Sequence, residues 1–292
     1  MGVLKPFRVL DPTTVAEAAA ELGRLGERAR VYAGGAELVL LLRQGLLEAD
    51  YLLNVKRIPG LDAVAWEDGV ARIGATVVHR RLETDPLVRE RLPLFAYAES
   101  QVGNVRVRNQ GTVGGNLCFA DPHADVATAL LVHDATVRLG GAATRELPLA
   151  AFLVGTYETA LAPDELLTEV RVPPLPSGWG HAYLRVEQFY RPTLNVATAL
   201  AWDDGRLGAV RLAVGCVGPK AVRLDELEAR IQGQPLAQAQ HVVTEARPYL
   251  TDALEPVDDL LGSAEYKVYL AGVLLGRALA QAAASSGGSQ HA

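Results

Sequence analysis

A cluster of Pro173, Pro174, Pro176, Ser177 and Gly178 divides the 292-residue chain into two stretches of different pattern. Proline withholds the amide that helices and ladders need, so the cluster reads as a linker. Before it, short apolar strands alternate with helically spaced segments; after it, strands come first and helices follow, the order of an α+β domain. The apolar share, 49%, is ample for packed cores, and the length suits about two or three domains. The expected division is one domain over 1–175, in two halves meeting near residue 60 (1–60 and 61–175), and a second over 178–285. A disordered tail is expected at 286–292.

In the first half, Phe7–Leu10, Arg30–Ala33 and Tyr51–Val55 read as strands, Val15–Leu25 and Glu37–Gln44 as helices. Asp11–Thr13 offers a turn and a cap, and Gly45 a stop. In the second half, Glu67-Asp68-Gly69 signals a hairpin between Val64–Trp66 and Val70–Ile73. Thr76 is the expected cap of a helix through Leu82; further helices are expected at Asp85-Pro86, Pro93–Val102 and Val126–Val132, and strands at Ala135–Leu139 and Glu165–Val172. Asn104–Asp125 is polar, glycine-dense and without period. Beyond the linker, strands are expected at Ala182–Phe189, Asn195–Trp202 and Ala209–Val217, the last two joined at Asp203-Asp204-Gly205. Helices follow at Leu224–Ile231, Ala237–Ala246 and Ala264–Ala283.

A net charge of −6 without a basic run argues against nucleic acid, which is held by clustered cations. Apolar runs such as Leu38–Leu42 fall far short of the ~20 residues that cross a bilayer. The start of the chain lacks the apolar core of a secretory signal, so a cytoplasmic location is expected. Cys118 and Cys216 lie too far apart to suggest a metal or iron–sulfur site held by this chain alone.

Two segments carry chemistry: Tyr32-Ala33-Gly34-Gly35-Ala36-Glu37 and Arg108-Asn109-Gln110-Gly111-Thr112-Val113-Gly114-Gly115-Asn116-Leu117. In each, a strand is expected to run into a Gly-Gly pair. Glycine removes the β-carbon that would keep backbone amides from a diphosphate, and it permits the positive φ that converges them. Thr112 and Asn116 add side-chain donors, and two such loops could hold one diphosphate between them. Each pair is also compatible with a plain tight turn. Neither is a Rossmann G-x-G-x-x-G or a P-loop, so spacing alone leaves the ligand open.

The stretch Val102–Asp134, VGNVRVRNQGTVGGNLCFADPHADVATALLVHD, resembles the second FAD-binding segment of the medium subunits of molybdenum hydroxylases of the carbon monoxide dehydrogenase and xanthine dehydrogenase kind. Ala33–Glu37 with Leu38 resembles that family's first FAD loop, and NVKRIPGL (54–61), IGATVVHRRLE (73–83) and GCVGPKAVR (215–223) resemble further family segments. The similarity spans nearly the whole chain. It implies a two-subdomain FAD-binding fold, of the PCMH or vanillyl-alcohol-oxidase-like type, followed by a C-terminal α+β domain. It places Ala33, Gly34, Gly35, Ala36, Glu37 and Leu38 on one side of the FAD diphosphate and Thr112, Gly114, Gly115 and Asn116 on the other. Asp125 matches the family aspartate near the ribose, with a helix N-cap as its alternative role. Ala36 and Glu37 depart from the family's usual Thr/His and Asp/Ser, and no lysine stands between Tyr183 and Asn195, where relatives often carry one near the flavin; Arg185 and Arg191 are the nearest cations.

The resemblance further implies an electron-transfer subunit with no catalytic acid or base of its own. A small partner subunit would carry two 2Fe-2S clusters and a large one the molybdenum cofactor, in a dimer of heterotrimers, with NAD, a quinone or another acceptor downstream. A self-sufficient NAD(P)H-dependent flavin reductase and a flavin-free docking subunit are the rivals. Of the remaining polar residues, Arg106 and Arg108 are expected to flank a strand as ion-pairing residues, His79 and His133 to be structural, and Cys118 and His123 to be either packing residues or neighbours of the cofactor.

Overall fold

The computed structural model describes residues 4–188 and 191–286. Phe189, the expected end of a strand, lies outside the described residues, as does the expected tail except for Ser286.

The first unit is a three-stranded parallel sheet, β1 (Arg8–Leu10), β2 (Ala29–Tyr32) and β3 (Tyr51–Asn54), in the order β1-β3-β2. Helix α1 (Val15–Leu25) has the expected bounds, but its cap lies one residue beyond the expected turn: the Thr14 hydroxyl accepts from Glu17 N–H at 3.1 Å, and Glu17 reaches back to Thr13 N–H. Its Ala18, Leu22 and Leu25 bury against Leu53 of β3, the apolar face of a 3.6-residue period. Helix α2 (Leu38–Gln44) stops at Gly45, whose φ of 70° no β-branched residue would adopt cheaply.

The second unit centres on an antiparallel sheet, β4 (Val64–Glu67), β5 (Val70–Gly74), β6 (Thr136–Gly140), β7 (Thr144–Pro148) and, after a small hairpin of β8 (Leu153–Gly155) and β9 (Glu158–Thr159), β10 (Leu166–Val172). The order is β4-β5-β10-β6-β7. Between β5 and β6 come α3 (His79–Thr84), α4 (Pro86–Arg91), α5 (Pro93–Gln101), α6 (Val105–Gln110), α7 (Val113–Phe119) and α8 (Val126–Val132), and α9 (Leu149–Phe152) follows β7. Thr76 does not cap α3, which begins after Val78, because Val77 to His79 is instead zipped onto Gly111 to Val113. Every residue of α8 is buried, as befits a helix covered on all sides.

The third unit has the antiparallel sheet β11 (Gly180–Gln188), β12 (Arg191–Asp203), β13 (Arg206–Gly215) and β14 (Val222–Arg223). Helices α10 (Asp225–Ile231), α11 (Leu236–Glu245), α12 (Arg247–Leu254) and α13 (Ala264–Ser285) follow. Strand β12 serves two cores by simple alternation: Ala197 and Ala199 join the core of the second unit, while Leu194, Val196 and Leu200 join that of the third. Helix α13, expected from sequence at Ala264–Ala283, is by length and composition able to cross a bilayer. Half of it is buried within the protein: Ala271, Leu275, Ala278 and Ala282 belong to the core of the third unit.

His133, at the end of α8, is fully buried and its Nδ1–H donates to Pro173 O at 2.8 Å. Burial holds its pKa down at about 4. The unfolded chain therefore binds a proton that the fold refuses, so this residue's contribution is intact above pH ~6.5 and is lost as pH falls toward 4, about 3 kcal/mol in all. Thermal melting followed from pH 7 to pH 4 is expected to fall more steeply for the natural chain than for His133→Asn, which keeps an N–H near Nδ1; parallel curves would contradict this.

Candidate functional site

The first glycine loop follows β2. Gly35 has a φ of 76°, and a β-carbon there would lie 2.5 Å from the Tyr32 ring. A β-carbon on Gly34 would lie 2.1 Å from Gln110 O and 3.0 Å from Gly111 Cα. The two glycine loops therefore touch, backbone to backbone. Val39 and Leu41 donate back to Gly35 O and Glu37 O. The amides of Gly34, Gly35, Ala36, Glu37 and Leu38 donate to no described residue. Five consecutive amides left in this state at a cavity wall form an anion-accepting surface.

The second loop departs from expectation. No strand enters it. Asn104 Oδ1 accepts from Arg106 and Val107 N–H and starts α6; Thr112 Oγ1 accepts from Gly115 N–H at 3.1 Å and starts α7. Side-chain capping thus turns a glycine-dense segment into two short helices. Arg108 belongs to a helix and pairs with Glu83 Oε2 at 2.8 Å. The amide of Gly114 donates to Ala75 O at 3.0 Å, and that of Gly115 is taken by Thr112. Their amides are thus already satisfied, and Thr112 serves as a cap. At Gly114 the glycine is needed for close packing, since a β-carbon would lie 2.6 Å from Ala75 Cβ and from Ala75 O. Asn116 differs: its Oδ1 is buried without a partner, an atom whose burial calls for a ligand or water.

Both loops line one cavity of about 620 Å³, within the range of small-molecule and cofactor sites. All the residues expected at the site line it, from Ala33 to Leu38 on one wall through Thr112, Gly114, Gly115, Asn116 and Cys118 to Asp125. Burial pushes the Cys118 thiol up to about 12, so it stays protonated near neutral pH. Asp125 precedes α8 but makes no cap bond with its side chain. Its Oδ1 accepts from Tyr183 Oη at 2.7 Å and its Oδ2 from Arg185 Nη1 at 3.1 Å. Burial pushes this carboxyl up, against the pull of Tyr183 and Arg185.

The third unit closes one side. Arg191 and Pro192 line the cavity; Arg191 Nη1 pairs with Asp121 Oδ2 at 3.1 Å. His123 also lines it, with Nδ1–H donated to Pro192 O at 3.0 Å and Nε2 3.1 Å from Asp259. Asn195 Nδ2 donates to Ala124 O. The 121–125 segment is thus fastened at nearly every residue to the sheet and loops beyond the linker. Sequence reasoning missed His79 and Tyr157 as cavity residues and named Arg191 only as a cation near the position of a family lysine; for the first two, the family-like segment around His79 was the one signal.

Residues 5–175 match the family described as the FAD binding domain in molybdopterin dehydrogenase, and residues 190–282 the CO dehydrogenase flavoprotein C-terminal domain. The chain is 34% identical over 279 residues to the carbon monoxide dehydrogenase medium chain of Hydrogenophaga pseudoflava, covering 94% of this chain and 96% of that one. It is 31% identical over 264 residues to the 6-hydroxypseudooxynicotine dehydrogenase complex subunit alpha of Paenarthrobacter nicotinovorans, covering 88% of each. A crystal structure of carbon monoxide dehydrogenase from H. pseudoflava lacking the Mo-pyranopterin moiety contains a chain of the same fold, with a TM-score of 0.92 at 32% identity, over 97% of this chain and 99% of that one.

Proposed function

Because this chain belongs to the family of FAD-binding medium subunits of molybdenum hydroxylases, we propose that it relays electrons in a multi-subunit dehydrogenase, from the iron–sulfur clusters of a small partner subunit through FAD to NAD, a quinone or another acceptor. Substrate oxidation belongs to a large molybdenum-binding partner, in a dimer of heterotrimers. The named relatives act on carbon monoxide and on 6-hydroxypseudooxynicotine, so the substrate of this complex is set by the partner chain. Both cysteines are free, which suits the reducing cytoplasm.

The observation that carries the reading is the row of unpaired amides at 34–38, on the same cavity as the orphaned Asn116 Oδ1. These fit a bound dinucleotide. The amides of Gly34 to Leu38 hold the diphosphate, and Gly34 and Gly114 keep the walls close. Asn116 completes its hydrogen bonding on the ligand. Asp125 offers remaining lone pairs to ribose hydroxyls and would repel phosphate. A carboxylate would repel the diphosphate, so only the amide of Glu37 is assigned to it. When bound, FAD supplies the redox chemistry, accepting and releasing electrons; the chain orients it and limits water. The proposal assigns 1–175 to cofactor binding and 178–285 to closing the site.

Purification of the intact complex tests this. The expected result is one FAD per copy of this chain, seen in the flavin absorption bands, together with co-purified molybdenum and iron. A flavin-loaded chain without either metal would favour a self-sufficient flavin reductase. A colourless complex that takes up no FAD would leave only a docking role.

A further inference from the structure

The cavity holds one polar couple that the glycine loops do not account for. His79 heads α3 and lines the cavity. Its side chain is 3% exposed, and its Nδ1 lies 2.6 Å from Oε2 of Glu99, which α5 buries completely. Glu99 Oε1 is buried with no partner. A carboxyl group in this position is costly, and apolar residues of similar volume would fill the space more cheaply. The couple therefore calls for a reason other than packing.

Its geometry supplies one. With Nδ1 directed at Glu99, the opposite edge of the ring turns to Gly111: a β-carbon there would stand 3.1 Å from Cδ2 and 3.4 Å from Nε2. The backbone is pinned as well, since His79 N–H donates to Gly111 O at 3.0 Å. Gly111 is also the residue that Gly34 approaches across the loop contact. Nε2 hydrogen bonds no described residue. A carboxylate that fixes one ring nitrogen leaves the other oriented toward a ligand.

We propose that His79 is a cofactor-contacting residue whose Nε2 accepts a hydrogen bond from a ribityl hydroxyl of the dinucleotide, and that Glu99, which takes the Nδ1 proton, is its positioning residue. This rests on the reading of the cavity as an FAD site.

Two substitutions separate a contact from a packing role. Glutamine at position 79 places its amide near the site of Nε2, while asparagine places it near Nδ1 and keeps only the bond to Glu99. FAD release from the assembled complex is followed by the rise in flavin fluorescence after dilution. His79→Asn is expected to release FAD about tenfold faster or more, the worth of one hydrogen bond to a cofactor, and His79→Gln to stay within about threefold of the unaltered complex. Glu99→Gln, which leaves the ring less firmly held, should fall between them. Release from His79→Asn at the unaltered rate, or faster release from His79→Gln than from His79→Asn, would overturn the proposal. Should His79→Asn fail to assemble, Gly111→Ala presses on the ring edge and leaves Glu99 alone; faster release is expected, and an unchanged rate would count against the contact. An unaltered complex that holds no FAD would instead refute the underlying function, and that control is read before any variant.

Discussion

Gly34→Ala should leave a chain that folds its sheets yet binds FAD about a hundredfold more weakly. The added methyl would stand 2.1 Å from Gln110 O and 3.0 Å from Gly111 Cα. Both are backbone atoms, so no side chain can swing aside. The two loops must part by roughly 1 Å, the distance at which a hydrogen bond of ordinary length is already lost. Every amide of the 34–38 row moves with the first loop, while Asn116 stays with the second. Misplacement on this scale can cost about two orders of magnitude where several contacts must form together. The cost to the fold is smaller, about 1–3 kcal/mol, as for other overpacked sites. Gly45→Ala is the matching control. Its φ is positive, at 70°, where that of Gly34 is not, and a β-carbon there meets nothing within 4 Å. It should lower stability by about 1 kcal/mol and leave FAD affinity unchanged. Calorimetric titration of the flavin-stripped complex with FAD, alongside thermal melting, reads both quantities. Gly34→Ala binding FAD as tightly as the unaltered complex would mean that the loop contact is not part of the site.

Asp125→Ala should destabilise the protein by about 3 kcal/mol, read as a lower midpoint in urea. The carboxylate joins the start of α8 to Tyr183 and Arg185 on β11, across the linker. Alanine would leave the buried Tyr183 hydroxyl without its short bond. Arg185 would keep Glu187 and Gln101 O as partners, so most of the loss falls on Tyr183 and on the junction. Asparagine should behave differently. It retains an acceptor for Tyr183 and should cost about 1 kcal/mol. Burial raises the Asp125 carboxyl above the ordinary range. The folded state thus binds this proton more tightly than the unfolded one, and Asp125's contribution falls as pH rises through its folded value. Asp125→Asn should flatten that slope; an alanine variant as stable as the asparagine variant would show that the carboxylate does not hold the junction.

The elements legible in the sequence are those whose signals lie within a few residues. Asp68-Gly69 and Asp204-Gly205 take positive φ at both turn positions, as Asp-Gly hairpin turns require. Asp85 caps α4 through Leu87 and Val88 N–H, and Gly45 stops α2. The misreadings share one cause. Between 104 and 119, glycines looked like loop, but Asn104 and Thr112 capped two helices, the second of which is bonded to the distant Ala75 and Val77. Strand β7 was passed over because its apolar residues are sparse, and helix α12 because it is a short segment whose Leu250 and Leu254 find their partners only in the core of the third unit.

By itself the sequence determined which residues could approach a diphosphate, because glycine's missing β-carbon is a property of the residue and needs no fold to be read. It also carried, through motif resemblance, the identity of the dinucleotide. Tertiary structure alone decided that Gly34 meets Gln110 and Gly111, that the free amides belong to the first loop while those of Gly114 and Gly115 are already bonded, and that Asp125 reaches across to β11 instead of capping its helix. Each of these is a pairing between residues far apart along the chain, and a hydrogen bond or a close contact depends on distance in space, which no local pattern encodes.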